Sequence, residues 1–234
     1  MVFSGPEVRV SVVWEGYSDE GVAQSLLKTC GLVPGRFFGG RGKEYLLSRL
    51  ANYNSAAVRQ PWFALVDLDR EPCVAEASKK WLPAPARYMR LAIAVVEVEA
   101  WLLADVESIS SFLGVTASRI PPAPEELTDP KASLVSLARR SRRRDIRAGL
   151  VPREGSKASV GPTYSSDMRN FAVTDWRPKV AASRAPSLQR CLDRLEDLAR
   201  LLNSGSAAPA PLGPGSDVGP AGGKPSTVRQ RRPR

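Results

Sequence analysis

The 234-residue chain is long enough for one sizeable domain with appendages, and its formal net charge is +10 at pH 7. The chain contains no histidine, which excludes Ser-His-Asp and Cys-His nucleophile systems, histidine-metal nucleases and zinc sites of the Cys/His type. Any chemistry must therefore come from carboxylates, Lys, Arg, Tyr or a bound metal ion. The positive charge indicates a polyanionic partner such as nucleic acid, although five basic residues and one acidic residue beyond Asn203 contribute +4 of it.

The three cysteines, Cys30, Cys73 and Cys191, are far apart and form no CxxC pair. A scattered, odd number of cysteines is typical of reduced thiols in a cytoplasmic protein. The amino terminus lacks a basic-then-apolar signal region, and no apolar run approaches the ~20 residues of a membrane span. We therefore expect a cytoplasmic protein without a membrane partner.

Strand and helix patterns alternate through the first half of the chain. Apolar runs predict strands, and segments with helical periodicity follow them. The predicted strands are Glu7 to Trp14, Arg36 to Phe38, Pro61 to Asp69 and Tyr88 to Val96, and the predicted helices run from Ser18 or Asp19 as N-cap to Gly31, from Glu44 to Tyr53 and from Pro72 to Trp81. This alternation predicts an α/β, three-layer, Rossmann-like fold with a mostly parallel central sheet.

Acidic residues follow three of these strands. Asp67 and Asp69 end the third strand, Glu15 follows the first, and Glu97 and Glu99 follow the fourth. Ligands of open α/β sheets bind at the carboxyl ends of the strands, and carboxylates there are suited to a hard divalent cation. The alternatives are that Asp67 and Asp69 cap the next helix, that Glu15 is a solvated turn residue and that Glu99 complements a helix dipole.

The segment Gly40-Arg41-Gly42-Lys43 precedes the second helix. Glycines with interleaved basic residues can present backbone N–H groups to a phosphate. The segment is not a Walker A loop, because the glycine spacing fails and Glu44 stands where Ser or Thr would bind magnesium. The alternative interpretation is a flexible turn.

The second half is predicted to be helical. Asp129 is the N-cap of a helix with Pro130 at its first position, and this helix leads into an arginine cluster that could contact phosphates or form a solvated face. Ser187 to Leu202 is an amphipathic helix whose leucine stripe packs on the core or forms a dimer seam. The arginine cluster comprises Arg139, Arg140, Arg142, Arg143 and Arg144. We predict a core over residues 1–114, a helical extension over 115–203 and a disordered basic tail over 204–234.

Glu15-Gly16 in a first βα turn, followed by Ser18-Asp19-Glu20 and later by Asp67-Leu68-Asp69, resembles the Toprim domain of type I topoisomerases, topoisomerase II, bacterial primases and overcoming-lysogenization-defect nucleases. The chain resembles more closely the bacterial family "domain of unknown function 4276". The matching segments are Glu15 to Leu27, Gly40 to Lys43, Gln60 to Asp69, Val98 to Asp105, Asp129-Pro130-Lys131 and Trp176-Arg177-Pro178.

The resemblance implies that Glu15 is a general acid/base and that Asp67 and Asp69 bind Mg²⁺ or Mn²⁺, with Glu97 or Glu99 as an extra ligand. It implies a metal-dependent phosphoryl-transfer enzyme, most simply a nuclease in phage defence or DNA processing. Arg70-Glu71-Pro72 departs from the DxDxxG pattern of many Toprim enzymes, and no active-site tyrosine or primase zinc motif is recognisable. The alternative is a non-catalytic module that binds nucleic acid or a partner protein encoded nearby.

Overall fold

A computed structural model describes residues 8–204, which form four β-strands and ten α-helices. The strands are β1 (Arg9–Trp14), β2 (Val33–Gly39), β3 (Trp62–Asp67) and β4 (Met89–Ala94). The helices are α1 (Tyr17–Thr29), α2 (Lys43–Ala56), α3 (Val74–Trp81), α4 (Val98–Ala104), α5 (Val106–Leu113), α6 (Pro130–Arg139), α7 (Arg144–Leu150), α8 (Tyr164–Thr174), α9 (Pro178–Ala181) and α10 (Pro186–Asn203). The tail predicted from Ser204 onward lies, except for Ser204 itself, outside the described residues.

The four strands form one parallel sheet in the order β2-β1-β3-β4. Strand β3 lies in the interior of the sheet and is buried along its whole length. Successive side chains of a strand point to opposite faces, so Phe63 and Leu65 join one hydrophobic cluster and Ala64 and Val66 join another. A sheet buried on both faces is the expected result of parallel pairing, because the crossover helices cover both sides. The predicted α/β class and parallel sheet are confirmed.

Helices cover each face of the sheet and give the molecule three layers. One cluster joins the sheet to α1, α4, α6, α8 and α10, and the other joins it to α2 and α3. The first cluster contains apolar residues from both halves of the chain, including Trp101 of α4 and Leu195 of α10. The described C-terminal helices therefore share a core with the strands.

Helix α1 and strand β2 both begin earlier in the chain than the sequence predicts. Helix α1 begins at Tyr17 with Gly16 as N-cap, so the predicted cap at Ser18 or Asp19 is wrong. The turn after β1 is short, so the helix begins before Ser18. Asp19 is the third residue of the helix, and its carboxylate accepts a hydrogen bond from the Gly16 N–H at 2.7 Å. Strand β2 is longer than the predicted Arg36–Phe38 and includes Pro34, which an edge strand tolerates.

Three C-terminal contacts hold α4 from behind. The Trp101 indole N–H donates to Ser187 Oγ at 2.7 Å, and the Trp176 indole N–H donates to the Trp101 carbonyl at 3.1 Å. The guanidinium group of Arg177 pairs with the fully buried carboxylate of Asp105, with an Nη2–Oδ1 distance of 2.6 Å. These contacts give Trp176-Arg177 a structural role as the anchor of α4.

Helix α1 packs unusually close to α8. A Cβ atom added at Gly21, in the middle of α1, would lie 2.5 Å from the backbone oxygen of Arg169 in α8. That distance is shorter than any stable contact, so a side chain at position 21 would push the two helices apart. Gly21 therefore sets the distance between α1 and α8.

Candidate functional site

The predicted acidic residues lie around the carboxyl ends of three neighbouring strands. Glu15 directly follows β1, Asp67 is the last residue of β3, and Glu97 is the N-cap residue of α4, shortly after β4. The three strands are parallel and adjacent, so their carboxyl ends share one edge of the sheet. Asp69 follows two residues after Asp67, and Glu99 lies in the first turn of α4.

The backbone at this edge adopts an uncommon conformation at two positions. Asp69 has φ of 52° and Val96 has φ of 60°, and they are the two residues other than glycine with positive φ between residues 8 and 204. They are directly connected, since the Asp69 N–H donates to the Val96 carbonyl at 3.0 Å. A β-branched residue such as Val96 is strained in this region, and such strain is concentrated at functional sites.

Asp67 faces a buried, acidic environment. One of its carboxylate oxygens accepts the N–H of Val98, the first residue of α4, at 3.0 Å. The pKa of Asp67 is well above its usual value, because of burial first and then of the nearby charges of Asp19, Glu99 and Glu15. The capping alternative is thus partly realised: Asp67 caps α4 rather than the next helix in sequence, α3, and it does so inside a group of acids.

Two residues that the sequence predictions left out of the site complete this inner group. Asp19 is buried, and burial raises its pKa against hydrogen bonds from Gly16 and Ser18 that lower it. Lys131 lies at the start of α6, and its ammonium group is 3.1 Å from Glu97 Oε1 and 3.6 Å from Glu99 Oε1. The pKa of Lys131 is raised, because the two glutamates outweigh the lowering effect of burial.

Glu99 is the most deeply buried carboxyl group of the site, with 1% of its side chain exposed. The hydroxyl group of Tyr164 in α8 donates to its Oε1 at 3.1 Å. Burial raises the pKa of Glu99 to about 7, with Lys131 lowering it and Glu97 and Asp19 raising it further. Its other oxygen, Oε2, is buried and has no hydrogen-bond partner among the described residues.

Glu15 lies on the outer side of the site. Its pKa is raised to about 7, by burial first and then by the charges of Asp69 and Asp19, while Lys43 lowers it. Its Oε2 atom is buried without a hydrogen-bond partner in the described part of the chain. Buried polar atoms are almost always paired, so this carboxylate oxygen is a place where a water molecule, a proton or a cation can bind.

Lys43, at the start of α2, bridges the outer acids and the backbone. Its ammonium group lies 2.7 Å from the Asp67 carbonyl, 3.2 Å from the Leu68 carbonyl and 2.9 Å from Asp69 Oδ2. The side chain of Asp69 is 42% exposed, in contrast to the buried Asp67. Lys43 thus supplies a positive charge at the end of β3.

A cleft of about 660 Å³ opens beside these residues. Its volume is in the range of small-molecule and cofactor sites. Residues from four segments line the cleft: Lys43, Asp69, Arg70, Glu71, Val96, Glu97, Thr128 and Asp129. Asp69 and Glu97 are therefore accessible to a ligand in the cleft.

The donor chemistry of the site matches a hard divalent cation, since it offers carboxylate oxygens, two of them buried and unpaired. The side chains, however, do not surround one point. Over residues 8–204, no group of three or more Asp, Glu, Cys or His side chains is arranged to hold a metal ion. The two lysine ammonium groups account for this arrangement, because Asp69, Glu97 and Glu99 each contact a lysine.

The predicted phosphate-binding residues divide between two places. Gly40 and Arg41 are exposed, whereas the Gly42 N–H donates to the Glu15 carbonyl at 3.3 Å and is not free for a phosphate. The arginine cluster lies between α6 and α7, and Arg143 in it pairs with Asp145 at 2.6 Å. Arg140 lines a separate cavity of about 340 Å³ that shares no residue with the cleft.

Comparisons with protein-family models, with curated proteins and with solved structures found no match to this chain. The Toprim and "domain of unknown function 4276" resemblance therefore stays a prediction. Within residues 8–204, no helix is both long and apolar enough to cross a membrane.

Proposed function

We propose that the chain is a Toprim-like, Mg²⁺- or Mn²⁺-dependent phosphoryl-transfer enzyme that cleaves phosphodiester bonds in nucleic acid. The observation that carries this proposal is the Glu15 carboxyl group. It lies at a strand end beside Asp67 and Asp69, its pKa is raised to about 7, and its buried Oε2 atom lacks a hydrogen-bond partner among the described residues. A carboxyl group of this kind can both accept and release a proton near neutral pH.

Glu15 is the proposed proton-transfer group, and Asp67 and Asp69 are the proposed metal ligands. Glu97 or Glu99 would supply a further oxygen, and the excess of carboxylates over lysines gives the site a net attraction for cations. A divalent cation bound there would neutralise charge on the oxygens of the transferred phosphoryl group. Lys43 and Lys131 are well placed to balance the remaining carboxylate charge.

Binding of a cation would compete with the lysine contacts of Asp69 and Glu97. The exposed Asp69 side chain can turn toward the cleft without unfolding any element, because it follows the last residue of β3. The proposal therefore includes a local change in side-chain positions when the metal binds. Thr128 and Asp129 also line the cleft and are available to contact the substrate.

The test is cleavage of single-stranded DNA, duplex DNA and RNA with Mg²⁺ or Mn²⁺. We expect the wild-type protein to cleave at least one of these, and both Glu15→Gln and the double variant Asp67→Ala/Asp69→Ala to lose about 10²-fold or more in rate. Glu154→Gln, which changes an exposed acid in the loop after α7, is the control and should keep full activity. Cleavage no faster than that of Asp67→Ala/Asp69→Ala on every substrate would refute the nuclease proposal.

One observation favours a second candidate, a non-catalytic module that binds nucleic acid or a partner protein. Lys43 and Lys131 already pair with the carboxylates, and the described residues hold no preformed set of three metal-ligating side chains. Calorimetric titration with Mg²⁺ and Mn²⁺ separates the two candidates. Binding that Asp67→Ala/Asp69→Ala abolishes supports the enzyme, and the absence of any binding supports the module.

A further inference from the structure

One stripe of α2 carries alternating arginine and tyrosine side chains. The residues are Arg41, just before the helix, and Tyr45, Arg49 and Tyr53 within it. Their spacing of four places them on one face of the helix, one above the other. We call these four residues the α2 ladder.

The lower part of the α2 ladder is held together by cation–π contacts. The guanidinium carbon of Arg41 is 5.0 Å from the centre of the Tyr45 ring, and that of Arg49 is 5.8 Å from the same centre. Both arginines are exposed and the tyrosine is half-buried. Glu44 is the one acidic residue in α2, so the helix together with Arg41 carries a net positive charge.

The upper part of the ladder continues into a small aromatic stack. The Tyr53 ring stacks on Trp62 with centres 5.1 Å apart, and Phe38 of β2 stacks on the same indole at 5.4 Å. Phe38 remains 37% exposed although it is a large apolar residue on an edge strand. The pKa of Tyr53 is raised by burial and by Tyr45 and lowered by Arg49 and Arg41. The charges of the other three ladder residues therefore act on Tyr53.

The α2 ladder begins at the acidic site. Arg41 is two residues from Lys43, whose ammonium group contacts Asp67 and Asp69, and the intervening Gly42 donates its N–H to the carbonyl of Glu15. From Tyr45 to Tyr53 the helix rises about 12 Å, at ~1.5 Å per residue. A stacked strand with ~3.4 Å between nucleotides would place about three nucleotides along this length.

We propose that the α2 ladder, with Phe38, is a binding track for single-stranded nucleic acid that leads toward the carboxylates. Aromatic rings offer sequence-independent stacking to unpaired bases, and the two exposed guanidinium groups beside the Tyr45 ring can bind backbone phosphates. A base-paired duplex buries its base faces, so it can use only the arginines. The ladder therefore selects single strands, and this selection deepens the proposed function by naming its substrate class.

The test is fluorescence anisotropy of the full chain, with a chelator present, on a labelled single strand of about 16 nucleotides and on the matching duplex. We expect the single strand to bind more tightly. Tyr45→Ala and Tyr45→Ala/Tyr53→Ala should weaken its binding by about tenfold or more, and Tyr45→Phe/Tyr53→Phe should retain it. Loss of the ring should leave the slope of log affinity against log salt unchanged, because no phosphate contact is removed.

The arginines are tested by the same slope. Arg41→Gln/Arg49→Gln should reduce the salt slope for single strands by about 1.4, at ~0.7 per phosphate contact. Arg190→Gln/Arg200→Gln removes two exposed arginines from α10 and is the matched control, with little change expected. Tyr45→Ala also serves as the folding-safe variant, because Tyr45 is half-buried and outside the Trp62 stack.

Three results would overturn the track. The first is equal single-strand affinity of the Ala and Phe variants, and the second is tighter binding of the duplex than of the single strand. The third is a reduction of the salt slope in Arg190→Gln/Arg200→Gln as large as that in Arg41→Gln/Arg49→Gln. The proposal rests on the proposed function only for the direction of the track, so the two can fail separately. Binding as expected without cleavage would remove the proposed function and leave the track. Cleavage by a protein whose single-strand affinity is unchanged in the ladder variants would remove the track and leave the proposed function.

Discussion

Glu15 and Glu99 are the two carboxyl groups of the described residues with one buried oxygen left unpaired. They lie on different elements, one after β1 and one in α4, and each has its pKa raised to about 7, chiefly by burial. Protons are therefore held by the folded protein at a pH where the unfolded chain has already released them. Ionising these two buried carboxyl groups costs free energy, and a bound cation would offset this free-energy cost.

This leads to a pH dependence of stability in the absence of divalent ions. Between about pH 4.5, where these glutamates ionise in the unfolded chain, and about pH 7, the folded state binds more protons than the unfolded state. The free energy of unfolding contributed by Glu99 is thus fully present below pH 4.5 and is lost as the pH rises through 7. At about 1.4 kcal/mol per pKa unit, its loss amounts to roughly 3 kcal/mol, and that of the more exposed Glu15 is smaller.

Urea unfolding in chelator between about pH 5 and pH 8 measures this loss. Glu99→Gln cannot ionise, so its stability should fall less steeply than that of the wild type over the same range. Glu154→Gln, which changes an exposed carboxylate in the loop after α7, is the control and should follow the wild type. A wild-type stability that is flat or rises over this range, with no difference in Glu99→Gln, would contradict the assignment.

Sequence alone could predict the strand-end acids but not their partners. The apolar run before Asp67 and Asp69 predicts that they end a strand. Asp129 and Pro130 predict a helix start, which the structure confirms. Lys131 was missed because its partners Glu97 and Glu99 are more than thirty residues away and no local pattern marks a lysine that points inward. Asp19 was interpreted as a cap, since only the packing of other elements over α1 reveals that it is buried.

At the scale of elements, the ends of β3 and β4 are joined in a strained arrangement. The left-handed conformation of Val96 accompanies the hydrogen bond from Asp69 and turns the chain into α4. A β-branched residue has a free-energy cost of roughly 1–2 kcal/mol in this conformation, whereas glycine has none. The neighbouring Val95 has ordinary φ and a similar, intermediate exposure, but its side chain also packs against the hydrophobic cluster that α2 and α3 share with the sheet.

We expect Val96→Gly to be more stable than Val95→Gly by about 2 kcal/mol, with the wild type between them or close to Val96→Gly. Both substitutions increase the freedom of the unfolded chain, but only Val96→Gly relieves strain, and only Val95→Gly removes packing against a hydrophobic cluster. The free energy of unfolding from urea titration checks the order. Equal destabilisation by the two substitutions would show that the backbone at Val96 is unstrained.

Element boundaries show where local patterns are insufficient. The third helix was predicted from Pro72 and begins at Val74, with the Cys73 side chain accepting the Glu76 N–H at 3.4 Å. The amphipathic C-terminal helix predicted from Ser187 spans Pro186–Asn203, with Leu188, Leu192, Leu195 and Leu198 buried and Leu202 partly buried against the core. A strong stripe predicts a helix reliably, whereas an end depends on which side chain happens to satisfy the first N–H groups.

At the scale of the whole molecule, the two halves of the chain share one core. Trp101 and Phe63 from the first half belong to the same cluster as Phe171 and Leu195 from the second. The Arg177–Asp105 pair and the Trp176–Trp101 hydrogen bond tie the halves together at the back of α4. The helical segment over 115–203 is thus a covering layer of the sheet.

We therefore expect the full chain to unfold in one transition, with tryptophan fluorescence and far-ultraviolet circular dichroism changing together. A chain ending at Gly114 loses the cover of one sheet face and should show no cooperative unfolding. A chain ending at Ser204 keeps every described C-terminal helix and should retain the wild-type free energy of unfolding within about 0.5 kcal/mol. A cooperative transition in the shorter fragment would show that the strands fold without the C-terminal helices.

The close approach of α1 to α8 at Gly21 constrains how far related sequences can diverge. Glu15 and Asp19 belong to the acidic site, and the Arg169 backbone leaves no room for a side chain at Gly21. Chemistry and steric exclusion thus act on the same seven residues. We therefore expect chains that share both the acidic site and the α1–α8 contact to carry Glu-Gly, Asp and Gly at this spacing after an apolar strand.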